Sequence, residues 1–359
     1  MKVGIVGMPN AGKSSLFTAL TGVAAEAANY PFTTIEPNVA IVPVTDPRLN
    51  VVAQTVRASK VVPDTIAFHD IAGLVAGAHR GEGLGNQFLA NIRETDAIVH
   101  VVRAHHDPNV VHPDGRVDPL ADIETIETEL IYADLEQTER RLERVAKTAK
   151  SGDRRAAAEA AWLTELIEAL RAGRPARTVP APSDAPDAIT LLSPLTAKPV
   201  LFVVNVEEGS DEVPPAIIDH AAAQGAGVVA VSARLEAELA ELSAEDAAAM
   251  RDDLGVAESS LQTVVQGAFA LLDLVAFFTA GEDKPAQSWH LRRGRSVWDA
   301  AGLIHSDIQR GFVRAEVISW DRLRDAGGYA AARDRGTLRI EGRSYVIADG
   351  DVITVRFTP

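Results

Sequence analysis

The chain has 359 residues, a formal net charge of −15 and no cysteine. Lack of cysteine excludes disulfides, thiolate zinc sites and a cysteine nucleophile. The acidic balance argues against general affinity for nucleic acid, DNA included. No apolar run is long enough to span a bilayer, and Met1 leads straight into a strand-like run, so the expectation is a cytoplasmic protein without a membrane partner. The length allows two or three domains.

Lys2 to Val6 (K-V-G-I-V) reads as a short strand, and Gly7 to Ser14 (G-M-P-N-A-G-K-S) follows at once. From Ser15 the pattern turns helical. Strand, glycine loop and helix at the spacing G-x-x-x-x-G-K-S make a Walker A phosphate loop. The glycines let backbone N–H groups turn toward an anion, and the next helix adds its N-terminal N–H groups. Lys13 supplies a point charge, and the Ser14 hydroxyl can ligate Mg²⁺.

Asn29 to Asn38 (N-Y-P-F-T-T-I-E-P-N) reads as a loop. A Thr there can close over Mg²⁺ and a γ-phosphate; Thr34 is the better candidate and Thr33 the fallback. Thr65 to His69 is a β-rich run ending in Asp70-Ile71-Ala72-Gly73-Leu74. At this distance from the phosphate loop, Asp70 reads as a Walker B carboxylate on Mg²⁺, and the Gly73 N–H as a γ-phosphate donor. Leu74 stands where Ras-type GTPases place the Gln that orients water, and leucine has neither donor nor acceptor. Gly81 to Asn86 (G-E-G-L-G-N) reads as a moving switch, with a helix from near Gln87 and a buried strand over Ala97 to Val102.

His105, His106 and His112 crowd the loop from Ala104 to Pro119, but their spacing is not that of a metal site. Apolar residues recur at helical spacing from Asp122 to about Ala149 and again from Arg154 to Ala172, with Ser151-Gly152-Asp153 between. That predicts an antiparallel helical hairpin. Gly173 to Asp187, rich in Pro and Ala, reads as a linker. Lys198 to Val204 returns to a buried strand, with Asn205-Val206-Glu207-Glu208 at its C-terminal end, where ligands sit in parallel α/β sheets. GTPases carry N-K-x-D here. Val206 for Lys and Glu208 for Asp spoil the guanine geometry, while Asn205 and the Val206 backbone can offer an acceptor and a donor to adenine. This loop favours ATP over GTP. Gly227 to Val231 is a further strand, and Ser232 sits where such proteins close over the base. Helices are predicted over Glu241 to Leu254 and Gln262 to Leu274. Short strands at Ser288 to Leu291, Gly311 to Ile318 and Tyr345 to Phe357 then make a small α+β module. From Pro285 to Pro359 there are 12 Arg, no Lys and 9 Asp or Glu, a net of +3 against −18 for the rest, so the basic lean is read there.

The stretches G-M-P-N-A-G-K-S, N-Y-P-F-T-T-I-E-P-N, D-I-A-G-L-V, G-E-G-L-G-N-Q-F-L-A-N-I-R-E-T-D-A-I, N-V-E-E, F-F-T-A-G, A-A-G-L-I-H-S-D and R-A-E-V-I run in order along nearly the whole chain. Together they resemble the Obg-like ATPases of the YchF type. The resemblance implies an α/β phosphate-loop NTPase domain of the G-domain kind over 1–120 and 195–277. A helical coiled-coil insertion fills 121–194, and a C-terminal TGS (ubiquitin-like) domain 278–359. It implies slow ATP hydrolysis with a hydrophobic residue, Leu74, in place of the catalytic Gln. It also implies phosphate binding by Asn10, Ala11, Gly12, Lys13, Ser14 and Ser15, Mg²⁺ on Ser14 and Thr34, and an adenine contact from the Val206 backbone. His112 matches the His that is the family's candidate for assisting hydrolysis; His105, His106, His69 and His79-Arg80 depart from the pattern. Association with ribosomes is implied, with RNA contact through the basic C-terminal module. Asn10 permits a K⁺ requirement. Two other readings stand beside the ATPase: a GTPase switch of the Obg type, and a nucleotide-sensing protein with negligible turnover, which Leu74 favours.

Overall fold

The computed structural model describes residues 1–26, 38–71, 84–106, 117–254 and 260–358. Thr33, Thr34, Gly73, Leu74, His79, Arg80 and His112 lie outside these. In chain order the first elements are β1 (Lys2–Val6), α1 (Lys13–Glu26), β2 (Val39–Pro43), α2 (Pro47–Val56), β3 (Lys60–Val62), β4 (Thr65–Asp70), α3 (Leu84–Arg93) and β5 (Ala97–Arg103). Next come α4 (Pro119–Ala149), α5 (Arg154–Arg171), α6 (Ala188–Leu192), β6 (Val200–Asn205), α7 (Pro215–Gln224), β7 (Gly227–Val231), α8 (Ala233–Leu239), α9 (Ala244–Asp253) and α10 (Ser260–Leu271). The last are β8 (Leu274–Thr279), β9 (Pro285–Arg292), α11 (Val297–Ile304), α12 (Ser306–Arg310), β10 (Phe312–Ser319), α13 (Trp320–Ala326), α14 (Tyr329–Asp334), β11 (Arg339–Glu341) and β12 (Asp351–Phe357). Of the described residues, 1–26, 38–41 and those within 67–271 form one unit; 42–66 and 272–358 form another. None of the described helices is long and apolar enough to cross a membrane.

The first unit is built on a six-stranded sheet in the order β2-β4-β1-β5-β6-β7. β1 lies parallel to β4 and β5, β5 to β6, and β6 to β7. Parallel strands need crossover helices on the faces, so β5 and β6 are buried along their whole length. On one face Ile123, Ile126, Leu130 and Ala133 of α4 pack with Val6, Ile98, Val102 and Phe202 of the sheet. α10 packs against β6 and β7, and α1 against α8. α3 starts at Leu84, three residues before the position read from sequence.

Asp118 caps α4, its carboxylate accepting from the Ala121 N–H, with Pro119 in the first turn. A 31-residue helix is about 46 Å long at ~1.5 Å per residue. Asp153 caps α5 in the same way. The hairpin is present, but its edges differ from the sequence reading. The first half of α4 belongs to the core of the sheet, so no boundary falls at residue 121. Gly173 to Asp187 is not a linker either. Ala176, Val179 and Ala185 are buried against Trp162, Leu166 and Leu170, and the Trp162 Nε1–H donates to the Val179 carbonyl at 3.3 Å. Proline and alanine here serve a tight turn path over α5 rather than a solvated spacer. At the junction, buried Asp134 accepts from the Leu195 and Thr196 N–H groups, both at 2.8 Å, and from the Thr196 hydroxyl at 2.7 Å. Arg140, Arg141, Arg144, Lys147, Lys150, Arg154 and Arg155 gather around the hairpin turn, a second basic region that the C-terminal count had hidden.

The second unit holds the sheet β11-β10-β12-β8-β9-β3. β10 is antiparallel to β11 and β12, β8 to β9, while β12 and β8 are parallel, as are β9 and β3. Sequence reasoning placed everything up to residue 120 in the first domain, yet 42–66 supply α2 and β3 to this second unit. The cause is apolar packing. Leu49, Val52, Ala53 and Val56 of α2 are buried with Ala276, Phe278, Ile318 and Val352. The unit's C-terminal part starts at Leu272, just before β8, because the helix expected to run to Leu274 ends at Leu271 and Leu274 opens a strand. The strand expected from Tyr345 starts only at Asp351: Val346 makes an isolated bridge to Ser296, and Asp349-Gly350 turn the chain, with Gly350 at φ 85° and the Asp351 N–H on the Ala348 carbonyl.

Candidate functional site

Parallel pairing brings the C-terminal ends of β1, β4, β5, β6 and β7 to one edge of the first sheet. β1 delivers the phosphate loop there. Its shape needs glycine at two places. A Cβ on Gly7 would lie 2.4 Å from the Val101 carbonyl oxygen, and one on Gly12 2.3 Å from Asn205 Nδ2, with Gly12 also at φ 104°. Asn10, at φ 62°, takes the left-handed conformation that asparagine tolerates better than most residues. The Ala11 N–H closes the loop on the Met8 carbonyl at 3.2 Å. Lys13 is buried, and its ammonium donates back to the Gly7 and Met8 carbonyls at 3.0 and 2.8 Å. The lysine thus braces the loop it belongs to. Ser14 is exposed and Ser15 partly so, both in the first turn of α1.

Asp70 ends β4, paired in register with Ile5 two residues before the loop. Burial lowers the Lys13 pKa, opposed by the charge of Asp70. Burial raises that of Asp70, opposed in turn by Lys13. Each group relieves the other without cancelling the desolvation. An anionic phosphate beside Lys13 and a cation beside Asp70 would favour the charged form of both. A hydroxyl and a carboxylate are hard oxygen donors of the kind Mg²⁺ takes, so Ser14 and Asp70 fit that ion. Among the described residues no cluster of three or more His, Asp or Glu is arranged to hold a metal.

Asn205, at the end of β6, is buried, and each of its amide atoms makes one bond within the protein. Nδ2 donates to the Ala11 carbonyl at 3.1 Å, and Oδ1 accepts from the Ala233 N–H at 3.1 Å. It pins the phosphate loop to the start of α8. Its own carbonyl accepts from the Ala104 N–H at 2.9 Å and meets His105 Nδ1 at 3.0 Å. The Val206 N–H is likewise taken, by the Val231 carbonyl at 3.0 Å. The Val206 N–H is therefore not free to donate to adenine, and the Asn205 amide is held between the phosphate loop and the start of α8. Glu208 is exposed. Ser232 precedes α8 without its side chain capping the helix.

The structure thus brings together Asn10 to Ser15, Asp70, Asn205, Val206 and Ser232 on one sheet edge. Two groups join the site through Asn205, the Ala233 N–H and His105; the sequence shows His105 only as a loop histidine, and nothing there marks either role. Behind the site, outside the ligand-binding groups, His100 stands out as the one polar residue in the interior of the strand A-I-V-H-V-V-R, which ends in Arg103. It is 3% exposed, and burial, the charge of Lys13 and that of His220 push its pKa down to about 3.

Residues 2–139 match a family model described as "50S ribosome-binding GTPase", and residues 274–358 match the YchF-GTPase_C model, described as a protein of unknown function. The chain is 46% identical over 364 residues to the ribosome-binding ATPase YchF of Bacillus subtilis, covering 99% of both. It is 45% identical to the protein of the same description from Escherichia coli O157:H7, again over 99% of both. The solved Schizosaccharomyces pombe YchF GTPase superposes with a TM-score of 0.86 at 34% identity, over 99% of this chain and 97% of that one. A GTP-binding protein from Pyrococcus horikoshii, 20% identical with a TM-score of 0.64 over the full length of both, shares the fold.

Proposed function

This chain belongs to the YchF family, and from that premise we propose that it is a Mg²⁺-dependent, slowly turning-over ATPase that acts as a switch on ribosomes. The observation that carries the nucleotide reading is the braced phosphate loop, with Lys13 buried against its own carbonyls and opposite Asp70. Lys13 and the loop N–H groups would take the phosphates, and Ser14, Asp70 and Thr34 the metal. The choice of base rests on Val206. With its N–H held by Val231, its carbonyl can accept from the amino group of adenine, whereas guanine presents a carbonyl at that edge. Leu74 gives no group to orient water, which favours slow turnover, with His112 the candidate to assist. Relatives named as ribosome-binding ATPases support the ribosomal partner. The basic hairpin end and the arginine-rich C-terminal module suit an RNA-rich surface.

Calorimetry with ATP and GTP analogues, in Mg²⁺ with K⁺ and then with Na⁺, tests the reading. ATP should bind at least tenfold more tightly, about 1.4 kcal/mol. Equal binding, or preference for GTP, would overturn the assignment of Val206. Lys13→Ala should cut hydrolysis at least about a hundredfold, since it removes a charge aimed at the transferred phosphate; substantial turnover in that variant would sink the phosphate-loop assignment.

A further inference from the structure

On the face of the first unit's sheet that α4 covers, a cavity lies between α4 and β5, with Val6 at its lining just before the phosphate loop. About 30 Å³ of it is open to the centre of a water-sized sphere. Its polar lining comes from His100, Glu127, Arg177, Thr196 and Gln224. Two atoms of that lining, His100 Nε2 and Glu127 Oε1, are buried without a hydrogen-bond partner among the described residues. Their neighbours are well bonded. Glu127 Oε2 meets His220 Nε2 at 3.1 Å and accepts from Gln224 Nε2 at 3.0 Å. Arg177 donates to the Gln224 side chain, and to the Thr196 carbonyl at 3.1 Å. The His100 ring is fixed against Phe202, with ring centres 5.4 Å apart, and Phe202 against His220 at 5.9 Å.

A buried donor or acceptor left unmet forfeits the hydrogen bond it made to water in the unfolded chain. His100 and Glu127 stand among the few polar residues of an otherwise mostly apolar lining, and their two unmet atoms are satisfied if water enters between them. One water needs about 10–15 Å³ of such space and two to four polar partners. We propose that this cavity is a built hydration site, in which one or two waters bridge His100 to Glu127 and so join the central strand β5 to the base of the hairpin. A carboxylate oxygen and the bare nitrogen of a neutral imidazole are both acceptors, and a single water can donate to both. The bridge lies close to the phosphate loop. His100 pairs in register with Val6, the last strand residue before Gly7. The waters therefore connect the nucleotide edge to α4, and occupancy of the loop is felt at the hairpin base; this last step rests on the nucleotide reading above.

A crystal structure of the full chain at about 1.5 Å should show ordered water within hydrogen-bond distance of both atoms. An empty cavity, a direct His100–Glu127 bond or an ion in place of water would overturn the proposal. Amide exchange tests the energetics. His100→Leu should speed exchange over Ile126–Leu130 about tenfold in the wild-type background but less than threefold in a Glu127→Leu background, where the Glu127 contacts to His220 and Gln224 are already gone. A tenfold effect of His100→Leu in both backgrounds would mean two independent contacts and no bridge. If the leucine variants do not fold, His100→Gln and Glu127→Gln keep polar atoms at the cavity; retention of water there and exchange within threefold of wild type support the bridge, and a dry cavity overturns it. Finally, an ATP analogue should slow wild-type exchange over Ile126–Leu130 at least threefold, and His100→Leu should bind the analogue within threefold of wild type without that slowing. Binding with the slowing intact refutes the link. Failure of wild type to bind would refute the nucleotide reading instead, and the hydration site would still be decided by the density.

Discussion

In the phosphate loop the constraints are close in sequence and lie mostly in the backbone. Gly7, Asn10 and Gly12 take conformations or approaches that few residue types allow, and Lys13 bonds carbonyls five and six positions back. At the hairpin base the constraints are distant and lie in side chains. Asp134 holds Leu195 and Thr196, 61 and 62 positions on, and Arg177 holds Gln224, 47 positions on. The loop therefore tolerates little change of residue type but keeps its form locally. The base tolerates more types, yet each polar group depends on partners delivered by separate elements. A substitution in the first should strike ligand binding with little loss of fold, and one in the second the reverse.

The largest separation should come from Gly12→Ala. Its Cβ would strike Asn205 Nδ2, and its backbone would stay at a φ that costs an L-residue about 1–3 kcal/mol. Relief would shift the loop or break the Asn205 staple. ATP-analogue affinity by calorimetry should fall at least about a hundredfold, roughly 2.7 kcal/mol, while exchange over Ile126–Leu130 stays within threefold. Wild-type affinity in this variant would show that the loop is not braced as described.

Asp134→Ala is the counterpart. It strips the acceptor from two buried N–H groups and a hydroxyl, a loss of about 2–4 kcal/mol. Exchange over Ala176–Thr196 should accelerate at least about thirtyfold, with nucleotide affinity within threefold of wild type. An equal loss of affinity would mean that the two regions are one cooperative element.

The same contrast explains what the sequence could reveal. Gly7 to Ser14 is legible because a handful of adjacent residues dictate the turn, and the strands β5 and β6 because parallel pairing demands unbroken apolar runs. Val42–Ile66 was misplaced because α2 and β3 find their partners more than two hundred positions later, in β9 and its neighbours. Gly173 to Asp187 looked like a linker because a composition of Pro and Ala carries no period, although its alanines are small enough to pack on Trp162. Asn205 is legible by its position but not in its bonds: a lone Asn at a strand end does not say that its amide meets the Ala11 carbonyl and the Ala233 N–H.

The smallest effect concerns His100, which touches both regions. An unfolded imidazole takes up a proton near pH 6.5, while burial, Lys13 and His220 hold the folded one unprotonated down to about pH 3. The depressed group contributes stability that is complete above pH 6.5. That stability is lost as pH falls from 6.5 toward 3, because only the unfolded chain gains the proton. The slope is at most about 1.4 kcal/mol per pH unit. Many carboxylates add their own acid dependence, so the informative quantity is wild type minus His100→Leu, read as local exchange protection in β5. The difference should be flat above pH 6.5 and shrink steadily below it. Glu127 and Arg177 share the cavity with His100 and are present in both proteins, so they do not mimic this trend. Parallel curves at all pH values would show that His100 is protonated in the fold or open to solvent. Removing the Lys13 charge with Lys13→Ala takes away part of what depresses His100, so in that background the difference should level off at a higher pH. That shift would make the electrostatic reach of the phosphate loop into the hairpin side of the sheet directly measurable.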